Sequence, residues 1–343
     1  MTLPAVSPVD LSGAEALRAQ LDAKAKPLGA LGRIEDLAVR LGLIAGGSPP
    51  SFDRALLLVF AGDHGMNAEG VSAYPSAVTQ AMVATFLAGK ASANAFARAV
   101  GAELRVVDAG VDAELPSHSV LIDAKVRRGS RNAAVEPALT QAEVESALER
   151  GAGIALQAAE EGFEILALGE MGIGNTASAA LLMHRLAPAP LAGCIGRGAG
   201  HDEAGLARKI AILERAAARS AATEPLEVLA EFGGLEIAMM AGAIIGAASA
   251  KIPVLVDGFI VSAAALVAIR LVPAAKDYCV FCHRSAEQGH GRLLAALEVE
   301  PLLALDLRLG EGTGALLALP MVRAASRLLS DVASLDDVLN GRL

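Results

Sequence analysis

The chain has no tryptophan, and aromatic residues make up only 3% of its 343 positions. So sparse a set offers few platforms on which single-stranded bases could stack. Lys and Arg number 29 against 38 Asp and Glu, a formal charge of −9. No basic block supplies the clustered surface that a duplex binder needs. Three cysteines are too few for a disulfide framework. Long apolar runs are also missing. The longest uncharged stretch, Ile237 to Ala250, is stopped by Lys251 and Pro253, short of the ~20 residues of a membrane span. The run Phe259 to Ile269 is shorter still. The N-terminal MTLPAVSPVDLSGAEALRAQ lacks a basic region followed by an apolar one, so no secretory signal is read. These absences predict a cytoplasmic globular protein with neither nucleic acid nor membrane as partner.

What is present is a large reserve of core-forming residues: 54% hydrophobic against 20% charged. The length suits two domains, or one large domain with an appendage. Leu17, Leu21, Leu31, Ile34, Leu37 and Leu41 recur near helical spacing, with Pro27 and Gly29 breaking the run. From residue 54 onward, short apolar runs alternate with Ala-rich helical stretches. The runs are Ala55–Ala61, Leu104–Asp108, Ile165–Leu168, Val254–Val256 and Val280–Phe281, with a weaker one at Leu303–Leu307. Between them lie helical segments over Thr79–Val100, Gln141–Glu160, Thr176–Leu186, Glu203–Ser220 and Leu235–Ala250. Continuous apolar strands separated by helices predict an α/β fold, a mostly parallel sheet covered on both faces. Residues 315–335 are again helical and are expected to pack with the N-terminal helices. The division expected is a small helical domain of 1–50 and 315–343 beside a large α/β domain of 51–314.

Several strands end in glycine beside a polar residue: Gly62-Asp63-His64, Asp108-Ala109-Gly110, Gly169-Glu170, Asp257-Gly258 and Gly310-Glu311. Ligands of open α/β sheets bind beyond such ends. Gly172, Gly174 and Ala177 fit the loose dinucleotide pattern, but no carboxylate stands ~20 residues later to hold a ribose. That argues against NAD and leaves a phosphate site or a plain tight turn. The glycines of Gly196-Arg197-Gly198-Ala199-Gly200 mark either close ligand approach or a bare loop. Lys209, in the following helix, is a phosphate donor or a solvated helix-face residue. Cys279 and Cys282 are read as buried core thiols, on opposite faces if their segment is extended. His64 lacks companions at metal-ligand spacing and is read as ordering its loop. In Gly310-Glu311-Gly312, glycines leave one carboxylate uncovered, and burial would raise its pKa toward the range of a general base. A solvated loop glutamate is the alternative.

Six blocks then occur in order: Lys26-Pro-Leu-Gly-Ala-Leu-Gly-Arg33, Gly62-Asp-His-Gly65 with Glu69-Gly-Val-Ser-Ala-Tyr-Pro75 and Thr79-Gln80, Gly169-Glu-Met-Gly-Ile-Gly-Asn-Thr176, Pro253-Val-Leu-Val-Asp-Gly258, His283-Arg-Ser-Ala-Glu287, and Leu309-Gly-Glu-Gly-Thr-Gly-Ala315. Together the blocks resemble the nicotinate-nucleotide–dimethylbenzimidazole phosphoribosyltransferase family, from about residue 14 to 335. The resemblance implies a Rossmann-like domain with a small helical domain, a homodimer, and no metal or other cofactor. It implies transfer of ribose 5-phosphate from nicotinate mononucleotide to 5,6-dimethylbenzimidazole, in cobalamin biosynthesis. The family's base falls on Glu311, with Glu170 a secondary candidate for orientation. Ser72, Gln80, Met171 and Leu309 fall at the benzimidazole, Gly172, Asn175 and Gly198 at the nucleotide, and Lys209 and Ser285 at its phosphate. A non-catalytic nucleotide-binding or sensor protein of the same fold is the alternative.

Overall fold

A computed structural model describes residues 1–47, 51–198 and 200–343. The expected domain boundary at 50/51 abuts residues outside that set, as Ala199 is. Six parallel strands form one sheet: β1 (Ala55–Gly62), β2 (Glu103–Gly110), β3 (Leu121–Asp123), β4 (Ile165–Met171), β5 (Val254–Val256) and β6 (Cys279–Phe281). Their order is β3-β2-β1-β4-β5-β6. β1 therefore lies at the centre, and its sequence ALLLVFAG is buried throughout. Leu56, Leu58 and Phe60 enter the core on one face, and Leu57, Val59 and Ala61 the core on the other. A strand covered on both sides has no reason to alternate with polar residues.

On the first face lie the helices Gln141–Glu160, Asn175–Leu186, Leu235–Ser249 and Phe259–Leu271. The stretch from Ile237 that is apolar enough to raise the question of a membrane is a buried helix, and small residues set how closely it packs. A Cβ on Gly242 would lie 2.0 Å from the carbonyl oxygen of Leu148, so the backbones meet where a side chain would stand. Among the described residues, no helix is long and apolar enough to cross a membrane. The second face is covered by Arg33–Ile44, Ser92–Val100 and Thr313–Ser330. Leu17, Leu21, Leu37 and Leu41 share that core with Leu316, Leu319, Val322 and Leu329. Lys24 Nζ donates to the carbonyls of Leu329 and Val332 at the end of the last of these helices, a placement its dipole favours.

Three expectations change. Thr79–Val100 is two helices, Ala77–Leu87 and Ser92–Val100, because the chain turns at Gly89 with φ +72°. Leu303–Leu307 is no strand; it contributes one isolated bridge, Leu303 to His283. Asp306, at φ +55°, bends it away. β3 has no counterpart in the sequence reading, since it is three residues long and partly exposed. Cys279 and Cys282 are buried, in the cores of opposite faces, and burial pushes the Cys279 thiol up to about 12.

Candidate active site

β1 is flanked by β2 on one side and β4 on the other, so the connections diverge at their carboxyl ends. That is where open α/β sheets bind ligands. A cleft of about 560 Å³ opens there, lined by the ends of β4 and β5, the helix starts after them, and residues 308–311. The volume suits a small organic molecule.

A helix N-terminus and a buried lysine meet at one part of the cleft. The chain leaves β4 through Gly172 and Gly174 and enters the helix Asn175–Leu186, whose N-cap residue Gly174 carries no side-chain acceptor. The positive end of that helix dipole faces the cleft beside Thr176. Lys209 Nζ donates to Thr176 Oγ1 at 2.9 Å and to the Gly196 carbonyl at 3.1 Å. Its residue is 0% exposed, so the solvated helix-face reading is wrong. Burial lowers the ammonium pKa to about 8, against the opposing charge of Glu287.

Two carboxylates line the same cleft. Glu311 is 4% exposed and sits at φ +62°, between Gly310 at +84° and Gly312 at +81°. Ala93 N–H donates to its Oε2 at 3.2 Å. Burial raises its pKa above the ordinary glutamate value; the Ala93 bond opposes this and Asp257 adds to it. The solvated-loop alternative therefore fails. Glu170 is pushed up to about 8, first by burial, with the charges of Asp257, Glu236 and Glu311 adding to the effect of removal from water. Asn175 Nδ2 donates to its Oε2. At neutral pH Glu170 is thus mostly a neutral acid. β4 comes so close to the Glu311 loop that a Cβ on Gly169 would lie 2.5 Å from the backbone of Glu311 and Gly312.

Of the residues singled out in the sequence, the cleft brings together Glu170, Met171, Gly172, Asn175, Gly198, Ser285, Leu309 and Glu311. Lys209 stands behind Thr176. Ser72 and Gln80 are not in its lining. The Ser72 hydroxyl accepts the Tyr74 N–H in a local turn. On the helix Ala77–Leu87 the cleft-facing positions are Val78 and Met82, four residues apart, and Gln80 projects from the opposite side. Tyr74, Val78, Met82, Phe259, Asp257 and Arg308 line the cleft without having been singled out as site residues. Of these only Asp257, beside glycine at a strand end, carried a signal in the sequence. His64 pairs with Glu236 and Ser178 beneath the glycine turn. Among the described residues, no group of three or more His, Cys, Asp or Glu could hold a metal ion.

A glycine turn after β4 rather than after β1 separates this sheet from the dinucleotide-binding pattern. A family model described as phosphoribosyltransferase matches residues 6–338. The chain belongs to that family. It is 52% identical over 335 residues, 97% of each chain, to a nicotinate-nucleotide–dimethylbenzimidazole phosphoribosyltransferase of Cupriavidus necator. To the protein of the same name from Ralstonia nicotianae it is 55% identical over 332 residues, 96% of this chain and 94% of that one. The crystal structure of CobT from Thermus thermophilus superposes with a TM-score of 0.92 at 45% identity, covering 95% of this chain and 98% of that one. The family member's fold is the Rossmann-like α/β architecture described above, with its helical portions.

Proposed function

We propose that this chain transfers ribose 5-phosphate from nicotinate mononucleotide to 5,6-dimethylbenzimidazole, giving α-ribazole 5′-phosphate and nicotinate for cobalamin biosynthesis. The observation that carries the reading is a buried carboxylate, Glu311, in one cleft with a helix N-terminus that a buried lysine backs through Thr176. The relatives' names agree with it.

The chemistry needs little more. The donor's pyridinium nitrogen receives the electron pair of the breaking C1′–N bond and becomes neutral, so nicotinate departs without a strong acid. One benzimidazole nitrogen forms the new bond to C1′ with inversion, while the other loses its proton to Glu311. A base with a raised pKa is suited to that transfer near neutrality. Glu170, held by Asn175 and mostly protonated, can orient the nucleotide by donating a hydrogen bond. Met171 and Leu309 serve as apolar walls for the benzimidazole. Gly172, Asn175 and Gly198 line the nucleotide, and Lys209 and Ser285 hold its phosphate. Ser72 and Gln80 are placed at the benzimidazole on the resemblance alone, since their neighbours Tyr74, Val78 and Met82 line the cleft and they do not. Positioning and fixed charges supply the rest of the acceleration.

The enzyme in this reading is a cytoplasmic homodimer with no cofactor. Among the described residues, the terminal segments of 1–50 and 315–343 form the small helical unit beside 51–314. The bridge between Lys24 and Ser334 and the packing of Leu17 and Leu21 with Leu329 support that division.

The test is to incubate purified protein with both substrates and separate the products by chromatography. Nicotinate and α-ribazole 5′-phosphate should appear in equal amounts. Saturable nucleotide binding without product, for every benzimidazole offered, would overturn the reading.

A further inference from the structure

Asp257, at the end of β5, lines the cleft and is 1% exposed. Its carboxylate is committed to the backbone that carries Glu311. Oδ2 accepts the Gly312 N–H at 3.2 Å and Oδ1 the Ala315 N–H at 2.9 Å. The helix Thr313–Ser330 has glycine at its N-cap and therefore no acceptor of its own. A helix start leaves N–H groups unpaired, and here another element supplies the cap, from 55 and 58 residues away.

That support answers a specific need. Residues 310, 311 and 312 all have positive φ, a conformation that glycine adopts freely and that Glu311 holds at a steric cost. Thr313 Oγ1 ties the loop to the Gly310 carbonyl at 2.8 Å. Among the described residues, the Gly312 N–H has no acceptor other than Asp257. We propose that Asp257 is the positioning residue of the general base: it caps the Glu311 loop from the end of β5 and keeps a second negative charge beside the base. This rests on the phosphoribosyl-transfer reading above.

The charges around the pair are few. His283 Nδ1 lies 3.4 Å from Asp257 Oδ1, and the buried Cys282 thiol is next in chain, raised by burial and by Asp257. Glu170 approaches from β4, with Glu236 beyond it. Arg308 lines the same cleft. From the helix Ser92–Val100, the group that meets Glu311 is the Ala93 amide. Removing the charge of Asp257 should therefore let the Glu311 carboxyl ionise at lower pH, and let Glu170 do the same.

The experiment compares kcat–pH profiles of nicotinate release for wild type and Asp257→Asn. The amide keeps the shape and one acceptor, and loses the charge and the second bond. A misplaced base costs on the order of 10²-fold in rate, so kcat should fall about that much while KM for the nucleotide stays put. The acid limb of the profile should move to lower pH. A merely structural Asp257 would lower activity at every pH and leave the limb in place. Asp257→Ser, neutral and without a buried amide, gives the same comparison if the asparagine variant does not fold. Wild-type kcat in the folded variant, or an acid limb unmoved or shifted upward, overturns the proposal. Absence of nicotinate release by the wild-type enzyme would instead sink the reading on which it rests.

Discussion

His64 Nε2 and Glu236 Oε1 lie 2.7 Å apart with side-chain exposures of 1% and 0%. The other imidazole nitrogen is 3.0 Å from Ser178 Oγ, in the first turn of the helix that begins at Asn175. The pair thus braces the glycine turn that follows β4. Burial disfavours charge on the imidazole, but the Glu236 carboxylate, through charge and hydrogen bond, outweighs it and raises the His64 pKa, with Asp63 adding. A raised folded-state pKa stabilises the fold fully below the unfolded value of about 6.5 and loses that stabilisation as pH climbs through the folded value. Breaking a buried pair costs ~3–5 kcal/mol. His64→Gln should therefore lower the urea midpoint strongly at pH 6 and less at pH 9. Equal losses at both pH values would count against a charged pair.

Glu311→Gln keeps the side chain's size and removes its ability to take a proton. Loss of a general base slows reactions by ~10²–10⁴-fold, so kcat should fall within that range while nucleotide binding, measured by calorimetry, persists. In the wild-type enzyme, the acid limb of the rate should lie above the ordinary glutamate range, because burial raises this carboxyl. Full turnover by the glutamine variant would remove Glu311 from the role.

Lys209→Met tests the anion end. A hydrogen bond to a charged group is worth ~1.5–3 kcal/mol, so nucleotide affinity should drop about 10- to 100-fold with little change for the benzimidazole. In the wild-type protein, affinity should decline as pH rises through about 8, where the buried ammonium loses its proton. Glu170 ionises over the same window, at about 8, and its new negative charge adds to the decline. Lys209→Met and Glu170→Gln should each flatten part of it. A pH-independent affinity in the wild type would refute both assignments.

Gly169→Ala introduces one methyl group into the contact between β4 and the base loop. Its Cβ would meet the backbone of Glu311 and Gly312 at 2.5 Å, and backbone cannot swing aside as a side chain can. Overpacking of this kind costs ~1–3 kcal/mol. Thermal melts should register that loss, and turnover should fall further than stability does, because the displaced atoms carry the carboxylate. A variant with normal turnover and a lowered melting point would show that the loop tolerates the shift.

Much of this fold can be read from residue order. β1, β2, β4, β5 and β6 announce themselves as apolar runs because both faces of the sheet are covered. β3 does not, since its three residues stay partly exposed and leave no apolar run, whereas the equally short β6 is fully buried. Leu303–Leu307 has the composition of a strand, yet the turn at Asp306 interrupts it. At the site, the glycines around Glu311 point to a carboxylate left uncovered. The importance of Asp257 is hidden, because it depends on two amides far along the chain. The same limit applies to Lys209, whose burial follows from how its helix docks beside Thr176 and not from its neighbours in sequence.

The helix Thr313–Ser330 starts at the loop of Glu311 and ends among the N-terminal helices, covering part of the sheet's second face on the way. A ribosome delivers Leu57 and Val59 long before this helix, so the growing polypeptide holds an incompletely roofed greasy surface for most of its synthesis. Exposed apolar surface of that kind invites aggregation. The same late segment that closes the roof also carries Glu311, so a nascent chain stalled short of it would be sticky and would lack that carboxylate's loop.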